Sequence, residues 1–200
     1  MPFPTTGLLD NFNRADANPL DGNWTNGWWG DGNPKIVSNQ LLAAGAGYSG
    51  SRYSVGIYGP DCEVFISLPV KDGFILALRV SSNLTSPNGY YLSYTGGTTI
   101  DIKRLTSGSG TKLGASVNIT IANGDKIGFS AVASVLTLYQ YTGGVWTALD
   151  TRTDTTYPDA GYLAVELIGT TIRGDDFSGG KVVSGIAIPI LMNQYKQRRE

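Results

Sequence analysis

Short runs in which apolar and polar residues alternate, each cut off by a glycine, asparagine or aspartate turn, constrain this chain more than any other feature. In residues 62–68, Cys62, Val64, Ile66 and Leu68 share one face, while Glu63, Phe65 and Ser67 share the other. After Asp72-Gly73, Phe74, Leu76, Leu78 and Val80 alternate with Ile75, Ala77 and Arg79, so the spacing predicts two adjacent antiparallel strands. The same reading places strands at residues 90–94, 98–105, 118–122, 126–132, 136–141, 145–149 and 162–168. Gly96-Gly97, Asn123-Gly124 and Gly143-Gly144 fall in the gaps, where tight turns need positive φ. A chain of 200 residues with 27 glycines and only 16 % charged residues has many turns and little material for solvent-facing helices. The expectation is one all-β domain over residues 1–180, an antiparallel sandwich of two sheets.

The two ends of this region echo one another. Asp10-Asn11-Phe12 and Asp175-Asp176-Phe177 are both short Asp-x-Phe fragments, and pairing them would remove an open sheet edge. Residues 181–200 differ in character and read as a C-terminal tail. Ile186, Ile188, Ile190, Leu191 and Met192 form an apolar run, followed by Tyr195 and the mixed-charge end Lys196, Arg198, Arg199 and Glu200. Pro189 suits the first position of a short helix, which would be too short to bury those side chains alone. Partner docking is therefore expected through Ile186, Ile188, Ile190, Leu191, Met192 and Tyr195.

Several chemistries are excluded by residue type. The chain has no histidine and one cysteine, so Ser-His-Asp and Cys-His arrangements and His-containing zinc sites cannot be built. Cys62 lies among alternating apolar residues, as a buried and inert thiol would. The net charge of −1 gives no footprint for nucleic acid, and no apolar run is long enough for a membrane-spanning helix. The only glutamates are Glu63, Glu166 and Glu200, and no strand places two of them at alternate positions, where one could attack and another protonate a leaving group. Asp61, two residues from Glu63, follows Gly59-Pro60 as a turn residue would. The chain is read as a non-enzyme.

Binding has more support. Trp28, Trp29, Asp31 and Asn33 lie in a loop rich in glycine, where flat aromatic faces beside amide and carboxylate groups suit a sugar ring. The competing reading has one indole plugging the sandwich and the other covering an edge. Arg173-Gly174-Asp175 matches an adhesion tripeptide but falls where the last strand should form. Asn23, Asn83 and Asn118 open glycosylation sequons, read here as strand and turn residues.

The stretch Asp10-Asn11-Phe12-Asn13-Arg14-Ala15-Asp16 with Trp24 opens a series of familiar segments. They continue with residues 35–41, Gly89-Tyr90-Tyr91-Leu92, Asn123-Gly124-Asp125-Lys126-Ile127 and the closing Asp176-Phe177-Ser178-Gly179-Gly180. Together they resemble the concanavalin A-like lectin/glucanase superfamily, and within it the laminin-G-like jelly roll of phage structural proteins. The resemblance implies a two-sheet antiparallel jelly roll with sugar-binding loops in many members. It also implies calcium near the paired terminal strands in some members, with Asp176 as the side chain that would carry over. An aspartate capping backbone amides at a strand end is the alternative, and no other cofactor is implied.

On these grounds the first reading is a non-enzymatic assembly protein, a virion component such as a capsid decoration or tail protein. It would be put together in the host cytoplasm and dock on other protein subunits, oligomeric or particle-bound. The alternative is a carbohydrate-binding lectin module with a cell-surface glycan as partner, cytoplasmic or non-classically exported, since the first residues lack a basic segment followed by an apolar one. A degenerate glycoside hydrolase is the third reading.

Overall fold

The computed structural model describes residues 3–30 and 32–183. Within them the strands are β1 (Leu8–Asp10), β2 (Trp24–Asn26), β3 (Lys35–Val37), β4 (Gln40–Leu42), β5 (Tyr48–Tyr58), β6 (Cys62–Val70), β7 (Gly73–Val80) and β8 (Gly89–Tyr94). The second half adds β9 (Thr99–Thr106), β10 (Ser109–Lys112), β11 (Val117–Asn118), β12 (Lys126–Val132), β13 (Val135–Thr142), β14 (Val145–Thr153), β15 (Gly161–Ile168) and β16 (Arg173–Lys181). Among the described residues the sole helical element is a 3-10 turn at Trp28–Gly30.

The strands form two sheets. The first runs β14-β13-β12-β6-β16-β4-β3 with β1 also on β16, and the second runs β10-β9-β8-β7-β15-β5-β2 with β11 on β9. All the ladders are antiparallel. Val64, Ile66 and Leu68 of the first sheet meet Phe74, Leu76, Leu78, Leu163, Val165 and Leu167 of the second in one buried core.

The expected pairing of residues 62–68 with residues 74–80 is not what forms. β6 lies in the first sheet and β7 in the second, so the Asp72-Gly73 link is a corner between layers. Alternation marks which side chains point inward, and a hairpin and a corner satisfy it equally well. The corner is held by Asp72, whose carboxylate accepts from the Gly73 amide at 2.9 Å and from the Thr171 hydroxyl.

Val80 also leaves its expected face. Arg79 takes φ 51°, and the register against β15 slips between Tyr162 and Ala164, so Val80 packs outside with Ile75 and Ala77. The Arg79 guanidinium is buried and donates to the carbonyls of Pro60 at 2.8 Å, Ala133 at 2.8 Å and Tyr157 at 2.9 Å. One side chain thus ties three loops at one end of the sandwich.

The strand expected at 118–122 reduces to Val117–Asn118, although Ile119 and Ile121 are still buried. The eleven residues of β5, rich in glycine and serine, carried no alternation strong enough to be read as a strand. The terminal pairing does form, with Leu8 opposite Ser178 and Asp10 opposite Phe177. Trp24 fills the space between Phe12 and Phe177, its ring centroid 5.9 and 4.8 Å from theirs, and its Nε1 donates to Asp10 Oδ2 at 2.7 Å. Cys62 is wholly buried, and burial pushes its thiol up to about 12.

Candidate functional site

The outer face of the second sheet carries a cleft of about 280 Å³ lined by Trp29, Tyr48, Ile75, Tyr91, Ser93, Lys103 and Glu166. Its floor follows from strand register. Asp101 of β9 lies opposite Ser93 of β8, Ser93 opposite Ile75 of β7, and Ile75 opposite Glu166 of β15. The next row aligns Lys103, Tyr91, Ala77 and Ala164. Residues in register share a face, so period-2 placement on four strands collects these side chains into one patch.

The small side chains at Ala77 and Ala164 leave room for Trp28, which is fully buried in the same cluster. Trp29 follows at φ 65°, a left-handed conformation that turns its side chain away from that of Trp28. Its amide donates to the Leu84 carbonyl at 2.6 Å and its Nε1 to the Gly108 carbonyl at 2.9 Å, so two loops fix the indole as a wall. Tyr91 meets that indole edge to face at 5.3 Å. Tyr48, 48 % exposed, stands at the mouth.

The polar groups at depth are ordered by charge. Asp101 receives Lys112 at 3.0 Å and Lys103 at 3.6 Å. Burial alone would raise its pKa, but hydrogen bonds from Ser116 and Lys112 and both lysine charges hold it below the usual value. Burial pushes Tyr91 up to about 12, with the negative charges of Glu166 and Asp101 adding to the effect, so its hydroxyl stays protonated at neutral pH. Glu166 is fully buried at the base of the cleft. The arrangement presents an aromatic rim, a tyrosine hydroxyl, a serine hydroxyl, an ammonium and a carboxylate to one small ligand.

The residues expected to bind sugar are only partly brought together here. Trp29 lines the cleft, Trp28 is sealed beneath it, and Asn33 lies outside the lining. Asp31 lies outside the described residues, as do Ile186, Ile188, Ile190, Leu191, Met192 and Tyr195 of the expected docking segment. Tyr48, Tyr91, Ser93, Lys103 and Glu166 were missed because they are scattered over four strands. The available signal was Glu166, a charge inside an otherwise apolar strand. Arg173-Gly174-Asp175 lies within β16, where Arg173 and Asp175 pair with β6.

Solved structures with this arrangement include the carbohydrate-binding module CBM66 from Bacillus subtilis, at 14 % identity and TM-score 0.63 over 79 % of this chain and 95 % of that one. The Ca2+/Man-bound exoplasmic/lumenal domain of VIP36 superposes at TM-score 0.64 and 12 % identity, over 83 % of this chain and 86 % of that one. The fold is the concanavalin A-like jelly roll. A third example of this jelly roll is the legume lectin-like domain from Entamoeba histolytica, at 13 % identity and TM-score 0.55 over 80 % of this chain and 91 % of that one. No protein-family model and no curated protein sequence matches the chain.

Asp176, the side chain that the resemblance implies for calcium, stands on β16 beside the paired terminal strands. Its carboxylate faces the Lys126 ammonium at 3.9 Å and accepts from the Ser67 hydroxyl at 3.4 Å. Among the described residues no three carboxylate, histidine or cysteine side chains converge as metal ligands would. Also among them, no helix is long and apolar enough to cross a membrane.

Proposed function

We propose that this domain is a non-catalytic carbohydrate-binding module that seats one sugar ring in the cleft on the outer face of the second sheet. The observation that carries the reading is the meeting of Trp29, Tyr48 and Tyr91 with Ser93, Lys103 and Glu166 around about 280 Å³. A pyranose or furanose has apolar C–H patches that pack on aromatic rings, and hydroxyls that need donors and acceptors at fixed positions. Tyr48 supplies the accessible ring, Lys103 and Ser93 donate to ring hydroxyls, and Glu166 accepts from one. Structures of the same fold are described as a carbohydrate-binding module and as lectins, which supports the reading at the level of the fold.

Catalysis on a glycosidic bond needs two carboxyl groups flanking that bond. Glu63 stands on β6 of the first sheet and Glu166 on β15 of the second, on opposite outer faces, so these two cannot act together. Asp101, in register with the cleft floor but outside its lining, is tied to two lysines, which suits a fixed charge better than a proton donor. The cleft favours this reading over the assembly reading, whose docking residues lie outside the described part of the chain.

The test is a glycan array probed with the full chain, followed by titration calorimetry on the best sugar. Tyr48→Ala and Lys103→Met should each weaken binding about tenfold or more, the scale of one lost 1.4 kcal/mol contact. No reducing sugar should be released. Binding that survives both substitutions unchanged would remove the cleft from consideration.

A further inference from the structure

A second cleft lies on the opposite side of the sandwich, on the outer face of the first sheet. It encloses about 250 Å³ and is lined mainly by Phe3, Val132, Val135, Thr137, Tyr139 and Val182, with Thr5, Glu63 and Ser130 at its polar side. One wall is the N-terminal segment. Phe3 stacks on Tyr139 at 3.9 Å between centroids and meets Phe65 and Trp146 edge-on, while Gly128 leaves room for its ring. The Thr5 amide donates to Glu63 Oε1 at 2.5 Å and the Thr6 amide at 2.7 Å, and both threonine hydroxyls donate to the same oxygen. The opposite wall is Val182, whose amide extends the ladder by donating to the Asp61 carbonyl at 2.9 Å. Between the walls Val135 stays 41 % exposed.

The last described residues, Val182 and Val183, therefore stand at the rim of an apolar cleft that none of the described residues fills. Val182 lines it, Val183 is 66 % exposed, and only Ser184 and Gly185 separate that valine from Ile186. Three residues span at most about 11 Å, which bounds how far Ile186 can stand from Val183. In extended backbone Ile186, Ile188 and Ile190 share one face, the pattern of a segment with one side to bury. Pro189 lacks an amide hydrogen, which suits a segment lying across a sheet face better than one inserted into a ladder.

We propose that residues 186–190 of the same chain pack into this cleft against Val132, Val135 and Tyr139, clasping the C-terminal tail beside the N-terminal segment. The short tether selects the chain's own tail over that of a second copy, because it sets a local concentration in the millimolar range. Both termini are then secured on the first sheet, leaving the outer face of the second sheet open for ligand. The inference does not depend on what the second-sheet cleft binds.

The experiment uses the full chain with Val135→Cys combined in turn with Ile186→Cys, Ile188→Cys or Ile190→Cys, oxidised mildly at low protein concentration. Cys62 is buried and stays out of the exchange. At least one pair should close to a disulfide within a monomer, read by mass under non-reducing conditions. Deleting residues 184–200 from the natural sequence should also lower the thermal midpoint by roughly 3 to 6 °C. A disulfide-linked dimer would assign the cleft to a second copy and overturn the proposal. So would the absence of monomeric cross-link in all three variants, or a midpoint unmoved by the deletion.

Discussion

A Cβ atom at Gly110 would lie 1.9 Å from the Tyr91 hydroxyl oxygen, so the phenol rests directly on the β10 backbone. That contact bears on the second-sheet cleft, because Tyr91 can keep its edge-to-face meeting with Trp29 in the cleft lining only while residue 110 has no side chain. Gly110→Ala should push the ring into the cleft and weaken sugar binding at least tenfold. Its stability cost should be small, about 1 to 2 kcal/mol, as in other overpacked sites. Calorimetry beside a denaturant melt separates the two effects, and equal loss in both would mean the contact is structural only.

Arg79 should be far less forgiving. Removing a guanidinium that serves three loop carbonyls leaves buried acceptors without partners, so Arg79→Met should cost roughly 3 kcal/mol or more. Urea denaturation measures this directly, and a loss below 1 kcal/mol would show that water replaces the side chain.

Glu63 and the cleft should be separable. Gln at position 63 keeps an acceptor for Thr5 and Thr6 but loses the charge, so Glu63→Gln should lower stability by about 1 to 2 kcal/mol. Sugar affinity should stay within twofold of the natural protein, since Glu63 belongs to the other sheet. A change in both would mean the two faces are coupled through the core.

Stability should fall steadily in alkali. Tyr91 and Cys62 have folded values raised to about 12 from ordinary values of 10.0 and 9.0, with burial the largest cause for each. Above pH 9 the unfolded chain sheds these protons while the folded chain keeps them, so the folded state binds more protons and stability drops as pH rises. The contribution is whole below pH 9 and gone once pH passes about 12. Denaturant midpoints from pH 8 to 11 should show the decline, and Cys62 should resist thiol reagents at pH 8 in the folded protein.

What the sequence determined by itself was the inward and outward assignment of most strands. In residues 126–132 and 136–141 the alternation alone places Ile127, Phe129, Leu136 and Leu138 in the core, where they lie. It also brought the two Asp-x-Phe ends together. Period-2 burial is a local property, written into each segment before any partner is chosen.

Tertiary structure decided everything that depends on which strands are neighbours. Whether Asp72-Gly73 makes a hairpin or a corner, whether Arg79 breaks its strand's phase, and that Glu166, Ser93 and Lys103 share one cleft are questions of register between distant segments. Trp28 and Trp29 make the same point at closest range. Adjacent in sequence and identical in chemistry, one is sealed in the outer cluster and the other lines a cleft, because a single left-handed residue in a 3-10 turn sends their side chains different ways. Alternation records how far each side chain is buried, but the neighbour it meets there is chosen by the packing of the whole chain.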